Sequence, residues 1–139
     1  MDTFFGNQGM HINGLCFLSP AEAFDVINAG ALLIDLREDF MRDFKSFGVI
    51  NTSYLPYSKF SELWTCIPRE TAVILADATG LKTKEAALFL VQQGYTNIAC
   101  LNGGIMDWER DGLPMSTDKK EQLSGACPCM LKPMNKTKL

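Results

Sequence analysis

The sequence has little histidine, no long apolar run and few basic residues over most of its length, and each shortage excludes a class of protein. Its one histidine, His11, is expected to be an ordinary polar residue near the N-terminus. No apolar run approaches the roughly 20 residues that a membrane-spanning helix needs, so we predict no membrane contact. The start of the chain, MDTFFGNQGMHI, lacks a basic segment followed by an apolar one, which a signal peptide would have. The predicted location is therefore cytoplasmic.

Charge is distributed unevenly along the chain. Residues 1–114 carry 8 lysines and arginines against 14 aspartates and glutamates, a net charge of −6. Residues 115–139 carry 5 basic and 2 acidic residues, a net charge of +3. Nucleic acid is bound by clustered lysine and arginine, so the acidic body predicts no nucleic-acid partner. The lysine-rich end is typical of a solvated tail.

The five cysteines do not form the even-numbered framework of a secreted disulfide scaffold. Cys16, Cys66 and Cys100 lie in apolar surroundings, and we expect them to be small core residues. Cys127 and Cys129 flank a proline in the tail, where two thiols could form a redox disulfide, bind a soft metal or pass a persulfide. One such pair does not make a structural zinc site, which takes four ligands, so no metal or cofactor is predicted.

Strand and helix patterns alternate along the middle of the chain. Ser19, Pro20 and Glu22 are typical of a helix start, and Gly30 of its end. Ser58 is expected to cap a further helix that runs to Ile67. The predicted strands are 14–18, 31–36, 49–55, 71–76 and 97–101, and the predicted helices are 19–30, 38–44, 58–67, 83–93 and one ending near 108.

This alternation predicts an α/β domain with a mostly parallel central sheet and helices on both faces. The predicted organisation is an N-terminal lead-in over residues 1–13, one domain over residues 14–115, and a basic polar tail over residues 116–139. No internal repeat is present.

The segment after the strand 71–76 is the strongest candidate for a functional site. In an open parallel sheet, ligands bind beyond the carboxyl ends of the strands. A tight loop leads directly into a helix N-terminus here, so several backbone N–H groups point at one place, an arrangement that favours an anion. The loop consists of Asp77, Ala78, Thr79, Gly80, Leu81, Lys82 and Thr83.

Three segments resemble a single rhodanese domain over roughly residues 15–115. They are LSPAEAFDVINAGALLIDLRE, AVILADATGLKTKEAALFLVQQGY and LNGGIMDWERDGLP. The last matches the Gly-Gly, Trp and Gly-Leu-Pro closing pattern of that family in residue type and spacing. The resemblance implies the rhodanese-like fold, and it implies that Asp35 and Arg37, which match the family's Asp-x-Arg strand end, are structural.

The loop departs from the pattern of active rhodaneses, which is Cys-x-x-Gly-x-Arg. Asp77 takes the position of the cysteine that accepts sulfur, Gly80 keeps the glycine, and Lys82 replaces the arginine. The Gly-His-Ile segment of the family also loses its histidine, because it aligns with the residues at 47–49. A carboxylate cannot form the persulfide that a thiolate forms. The resemblance therefore implies a relative without thiosulfate sulfurtransferase activity through this loop.

Two roles for Asp77 remain open from the sequence. Its carboxylate can accept hydrogen bonds from the loop amides or from Lys82 and act as an internal anion. Alternatively it can act as a nucleophile or base, as in aspartyl-phosphate enzymes, although the neighbouring Ala78 and Thr79 supply no second acidic group. The two functional hypotheses are a binding or regulatory module that takes a protein or small-molecule partner at the 77–83 loop, and a sulfur or redox relay through Cys127 and Cys129.

Overall fold

The computed structural model describes residues 5, 9–12, 14–38, 45–49 and 51–116. Within these ranges the strands are β1 Met10–Ile12, β2 Leu15–Leu18, β3 Leu32–Asp35, β4 Ser46–Phe47, β5 Thr52–Tyr54, β6 Val73–Ala76, β7 Ile98–Leu101 and β8 Met115–Ser116. The α-helices are α1 Pro20–Asn28, α2 Phe60–Leu63, α3 Leu81–Gln92 and α4 Gly104–Arg110, and short 3₁₀ helices at Tyr57–Lys59 and Trp64–Cys66 flank α2.

Six strands form one sheet in the order β1-β2-β7-β6-β3-β5. The pairs β2–β7, β7–β6, β6–β3 and β3–β5 are parallel, and only the edge strand β1 is antiparallel to its neighbour. The predicted mostly parallel α/β architecture is thus confirmed. The carboxyl ends of β2, β3, β5, β6 and β7 share one edge of the sheet, where the connecting loops meet.

Apolar side chains cover both faces of the sheet. On one face, Trp108 of α4 is fully buried and makes edge-to-face contacts with Phe24 of α1 and with Phe47, at centroid distances of 6.0 and 5.2 Å. On the other face, α2 and α3 pack through Phe60, whose ring lies edge-on to that of Phe89. Every residue of β6 is buried, which explains its continuous apolar sequence.

The start of α1 follows the sequence prediction. The Ser19 side chain accepts a hydrogen bond from the Glu22 N–H, and the Glu22 carboxylate accepts one from the Ser19 N–H at 2.9 Å. Pro20 occupies the first helical position, where a missing N–H costs nothing. These local interactions fix the helix start, and because they depend only on near neighbours the sequence could predict them.

Three local predictions are wrong. The stretch predicted as one helix from Ser58 to Ile67 is a short α-helix between two 3₁₀ segments. Ser58 does not cap it, since its hydroxyl donates to the Glu38 carboxylate at 2.8 Å instead. Cys66 is half-buried and disulfide-bonded rather than a core thiol.

Strand pairing adds three short strands that the sequence pattern did not indicate, namely β1, β4 and β8. β1 lies inside the segment predicted as a lead-in, and its three exposed residues are held by pairing with β2. β8 pairs with β4 through Ser116 and Ser46, so regular structure continues one residue past the predicted domain end. The predicted helix over residues 38–44 lies almost entirely outside the described residues. None of the helices in the described ranges combines the length and apolar content that crossing a bilayer requires.

Candidate functional site

The loop that follows β6 closes around the side chain of its own first residue. Asp77 is buried, and its carboxylate accepts hydrogen bonds from the backbone N–H groups of Gly80, of Lys82 at 2.7 Å and of Thr83 at 3.3 Å. Gly80 has a φ of +108°, a conformation that glycine adopts without strain and that turns the chain into α3. The ring of amides at the start of α3, which we call the amide cradle, therefore holds a carboxylate supplied by the chain itself.

Lys82 contributes its backbone to the cradle and directs its side chain elsewhere. The Lys82 ammonium lies 4.9 Å from the centroid of the Tyr57 ring, within range of a cation–π interaction. The Tyr57 hydroxyl donates to a Glu85 oxygen at 2.9 Å, and this hydrogen bond raises the pKa of Tyr57. Among the described residues, Lys82 and Asp77 form no salt bridge. The Lys82 ammonium therefore lies beside the amide cradle and not inside it.

The remaining loop residues differ in exposure. Thr79 and Leu81 are exposed, Ala78 is half-buried, and Leu81 shows 75% of its surface. Thr83 is fully buried, and its hydroxyl oxygen has no hydrogen-bond partner in the part of the chain that the structure describes. The predicted loop residues thus form one contiguous site, with an interior built from backbone amides and an apolar side chain at its rim.

The N-terminus of α4 clamps the loop from outside, a contact that the sequence analysis missed. The N–H of Ile105 donates to the Asp77 carbonyl at 2.8 Å, and that of Met106 donates to the Ala78 carbonyl at 3.3 Å. A side chain at Gly104 would place its Cβ only 2.5 Å from backbone atoms of Asp77 and Ala78. The Gly-Gly pattern in the sequence was the available signal, because glycine often marks a close approach between two backbones.

Replacing Gly104 by alanine is expected to lower the free energy of unfolding by about 2–4 kcal/mol, since the methyl group adds a backbone clash to an unfavourable φ of +63°. Gly112 is a matched control because its φ is +80° and a Cβ there meets nothing within 4 Å. We expect Gly112→Ala to cost only about 1–2 kcal/mol. Urea denaturation measures both, and equal losses would contradict the clamp.

Asp35 and Arg37 form a buried ion pair at the end of β3. The Arg37 side chain donates to both Asp35 oxygens, at 3.1 Å from Nε and 2.9 Å from Nη2, and the Arg37 backbone N–H donates to Asp35 Oδ1 at 3.0 Å. The guanidinium also donates to the Lys45 carbonyl at 2.8 Å. The pair joins the end of β3 to the segment that leads into β4, a geometry that fits a structural role.

The described thiols are poorly suited to nucleophilic chemistry. Burial, with smaller contributions from the neighbouring Cys16 and Asp77, raises the pKa of Cys100 to about 12. Burial also raises the pKa of Cys16, with a smaller contribution from Glu22. Cys127 and Cys129 lie outside the described residues, and their proposed relay stays a prediction. Within the described ranges, no cluster of three or more potential ligands could hold a metal ion.

Comparisons with known proteins agree with this architecture. Over 105 residues the chain is 32% identical to the thiosulfate sulfurtransferase GlpE of Actinobacillus pleuropneumoniae, an alignment that covers 72% of this chain and 92% of the relative. The GlpE of Haemophilus influenzae is 27% identical over 104 residues, with 72% and 93% covered. The crystal structure of a rhodanese-related protein from Thermoplasma volcanium superimposes with a TM-score of 0.66 at 30% identity, covering 73% of this chain and 97% of that one.

The solved structures extend the likeness to a larger protein. A thiosulfate sulfurtransferase from Pseudomonas aeruginosa superimposes with a TM-score of 0.61 over 73% of this chain and 20% of its own length, and at 24% identity this match supports the fold alone. The family model described as the rhodanese-like domain matches residues 19–111, which include β3, β5, β6 and β7 of the sheet, the amide cradle and the α4 clamp. This chain belongs to the rhodanese-like domain family.

Proposed function

We propose that this protein is a rhodanese-like binding or regulatory module that does not transfer sulfur from thiosulfate through its 77–83 loop. The observation that carries the proposal is the Asp77 carboxylate bound by the backbone N–H groups of Gly80, Lys82 and Thr83. The relatives named thiosulfate sulfurtransferase share the domain. This chain places an acidic side chain where, by its resemblance to the family, the sulfur-accepting cysteine would be.

Two physical arguments oppose catalysis with Asp77 in this position. Sulfane sulfur transfer needs a polarizable thiolate that attacks sulfur and later releases it, and a carboxylate offers neither property. A substrate anion would also meet a like charge, since two unit charges about 4 Å apart repel by roughly 4 kcal/mol at an effective dielectric constant near 20. Asp77 therefore opposes sulfur transfer from thiosulfate in two ways, because its carboxylate cannot carry the sulfur and its charge repels the anion.

The buried thiols do not replace the missing nucleophile. With a pKa of about 12, Cys100 is almost entirely protonated near neutral pH, and the thiolate is the form that attacks. The exposed surface of the site is instead suited to contact. Leu81 in the loop and Met106 on α4 are 75% and 61% exposed, and the Lys82 ammonium lies over the Tyr57 ring. These groups would meet a protein or small-molecule partner first.

The purified protein is expected to form no thiocyanate from thiosulfate and cyanide above the buffer rate, with a GlpE relative as the positive control. The Cys127→Ser/Cys129→Ser variant is assayed beside it, because it also separates the tail-relay hypothesis. Thiocyanate from the wild type that disappears in this variant would favour the relay. Thiocyanate that persists in the variant would contradict the proposed function.

A further inference from the structure

The outward face of α3 carries an apolar and charged stripe that no described element covers. Leu81 and Leu88 are 75% and 45% exposed, and Lys84 and Glu85 between them are also exposed. At 100° per residue, positions 81 and 88 fall within about 20° of each other around the helix axis. Positions 84 and 85 lie on either side of that line. We call these four residues the α3 stripe.

The order of the stripe is self-complementary. Consider two copies of α3 that run antiparallel, related by a two-fold axis that passes between positions 84 and 85. A residue of one copy then faces the residue of the other copy for which the two residue numbers add up to 169. Leu81 then faces the partner subunit's Leu88, and Lys84 faces the partner subunit's Glu85, so every contact occurs twice, as a two-fold interface requires. Such a pairing buries leucine against leucine and sets lysine against glutamate.

The charged members of the stripe are available for this pairing. Lys84 forms no salt bridge with any residue that the structure describes. Glu85 is held by the Tyr57 hydroxyl through Oε1 at 2.9 Å, which orients its carboxylate and leaves Oε2 for a cation. Lys84 and Glu85 are adjacent in sequence, and neighbours at that spacing do not face each other on one helix. A second copy of the chain can supply each of these two side chains with an oppositely charged partner.

We propose that this protein forms a symmetric homodimer through antiparallel contact of its α3 stripes. A single pair of short helices makes a small interface, which is typical of weak and reversible association. The inference concerns the subunit interface and does not depend on whether the 77–83 loop has catalytic activity.

Sedimentation velocity from micromolar to millimolar concentration tests the proposal on the full chain. The average mass of the wild type is expected to rise toward that of two chains. Leu88→Glu places a charge against the partner subunit's Leu81, and it should weaken the dimer at least about tenfold. Met106→Glu is the matched control, because Met106 is also an exposed apolar side chain but lies on α4, and it should leave the association unchanged.

A charge exchange within one chain gives the sharper test. Lys84→Glu should weaken the dimer, because it sets two carboxylates against each other at both symmetric positions. The Lys84→Glu/Glu85→Lys double variant re-creates the opposite-charge pair in the reverse sense, and it should recover most of the lost affinity. A protein that stays monomeric at all concentrations would overturn the proposal. So would a dimer that Leu88→Glu leaves unchanged, or a double variant that is weaker than Lys84→Glu alone.

Discussion

Replacing Asp77 by cysteine is expected to give this protein thiosulfate sulfurtransferase activity at least about 100-fold above the buffer rate, which the wild type is not expected to exceed. The nucleophile of an enzyme that works through a covalent intermediate accounts for several orders of magnitude in rate. The backbone N–H groups of Gly80, Lys82 and Thr83 would then surround a sulfur atom instead of a carboxylate. Amides at a helix N-terminus lower the pKa of a thiol, so the new side chain should be a thiolate near neutral pH.

The measurement is thiocyanate production, in a background with Cys127 and Cys129 replaced by serine. Asp77→Ser is the matched control, since serine has nearly the shape of cysteine and removes the same charge without supplying a thiolate. A comparison of the rates of Asp77→Cys and Asp77→Cys/Lys82→Arg shows whether Lys82, whose ammonium lies over the Tyr57 ring, limits the reaction. If both cysteine variants fold and neither makes thiocyanate, the cradle is not a latent sulfur-transfer site.

Asp35→Ala is expected to lower the free energy of unfolding by about 3–5 kcal/mol, the usual cost of removing one partner from a buried ion pair. Arg37 would be left charged in the interior, because its side chain is only 4% exposed. The Lys45 carbonyl oxygen, to which Arg37 also donates, is a neutral acceptor and does not replace the charge of the Asp35 carboxylate. Urea denaturation followed by circular dichroism measures the loss.

The control for Asp35 replaces both members of the pair. Asp35→Leu/Arg37→Met removes the two charges together and fills similar volume, so it should cost much less than Asp35→Ala. The comparison separates an uncompensated charge from a simple loss of contacts. If the double variant is destabilised as strongly as the single one, the ion pair is not the reason why this strand end tolerates two buried charged groups.

The parts of the fold that the sequence predicted are those that depend on nearby residues. Ser19 and Glu22 are three positions apart, and their reciprocal hydrogen bonds can be seen in the sequence alone. The apolar runs of β3, β6 and β7 likewise show their burial directly. The cradle follows the same logic, since Asp77 lies three to six residues from the amides that it accepts hydrogen bonds from.

Most of the predictions that failed depend on partners far away in the sequence. The Ser58 hydroxyl donates to Glu38, 20 residues away in the sequence. The local sequence around Ser58 indicated only a helix start, so it predicted a cap. β4 and β8 are each two residues long, and they pair with each other although they lie far apart in the sequence. β1 is different, because it forms a local hairpin with β2 in which Ile12 lies opposite Leu15. α3 begins at Leu81, two residues earlier than predicted, because Gly80 turns the chain directly into the helix. The α4 clamp joins residues more than 25 positions apart, and no local pattern indicates that distance.

The 77–83 loop is held both by its own amides and by α4, so its conformation and its chemical reactivity have different origins. One set of restraints comes from α4, whose amides grip main-chain oxygens and do not depend on which side chain stands at position 77. A loop backbone that is held in this way can keep its conformation when the side chain at position 77 is replaced. Chemistry at position 77 would then diverge without any change in the α4 contacts that hold the loop.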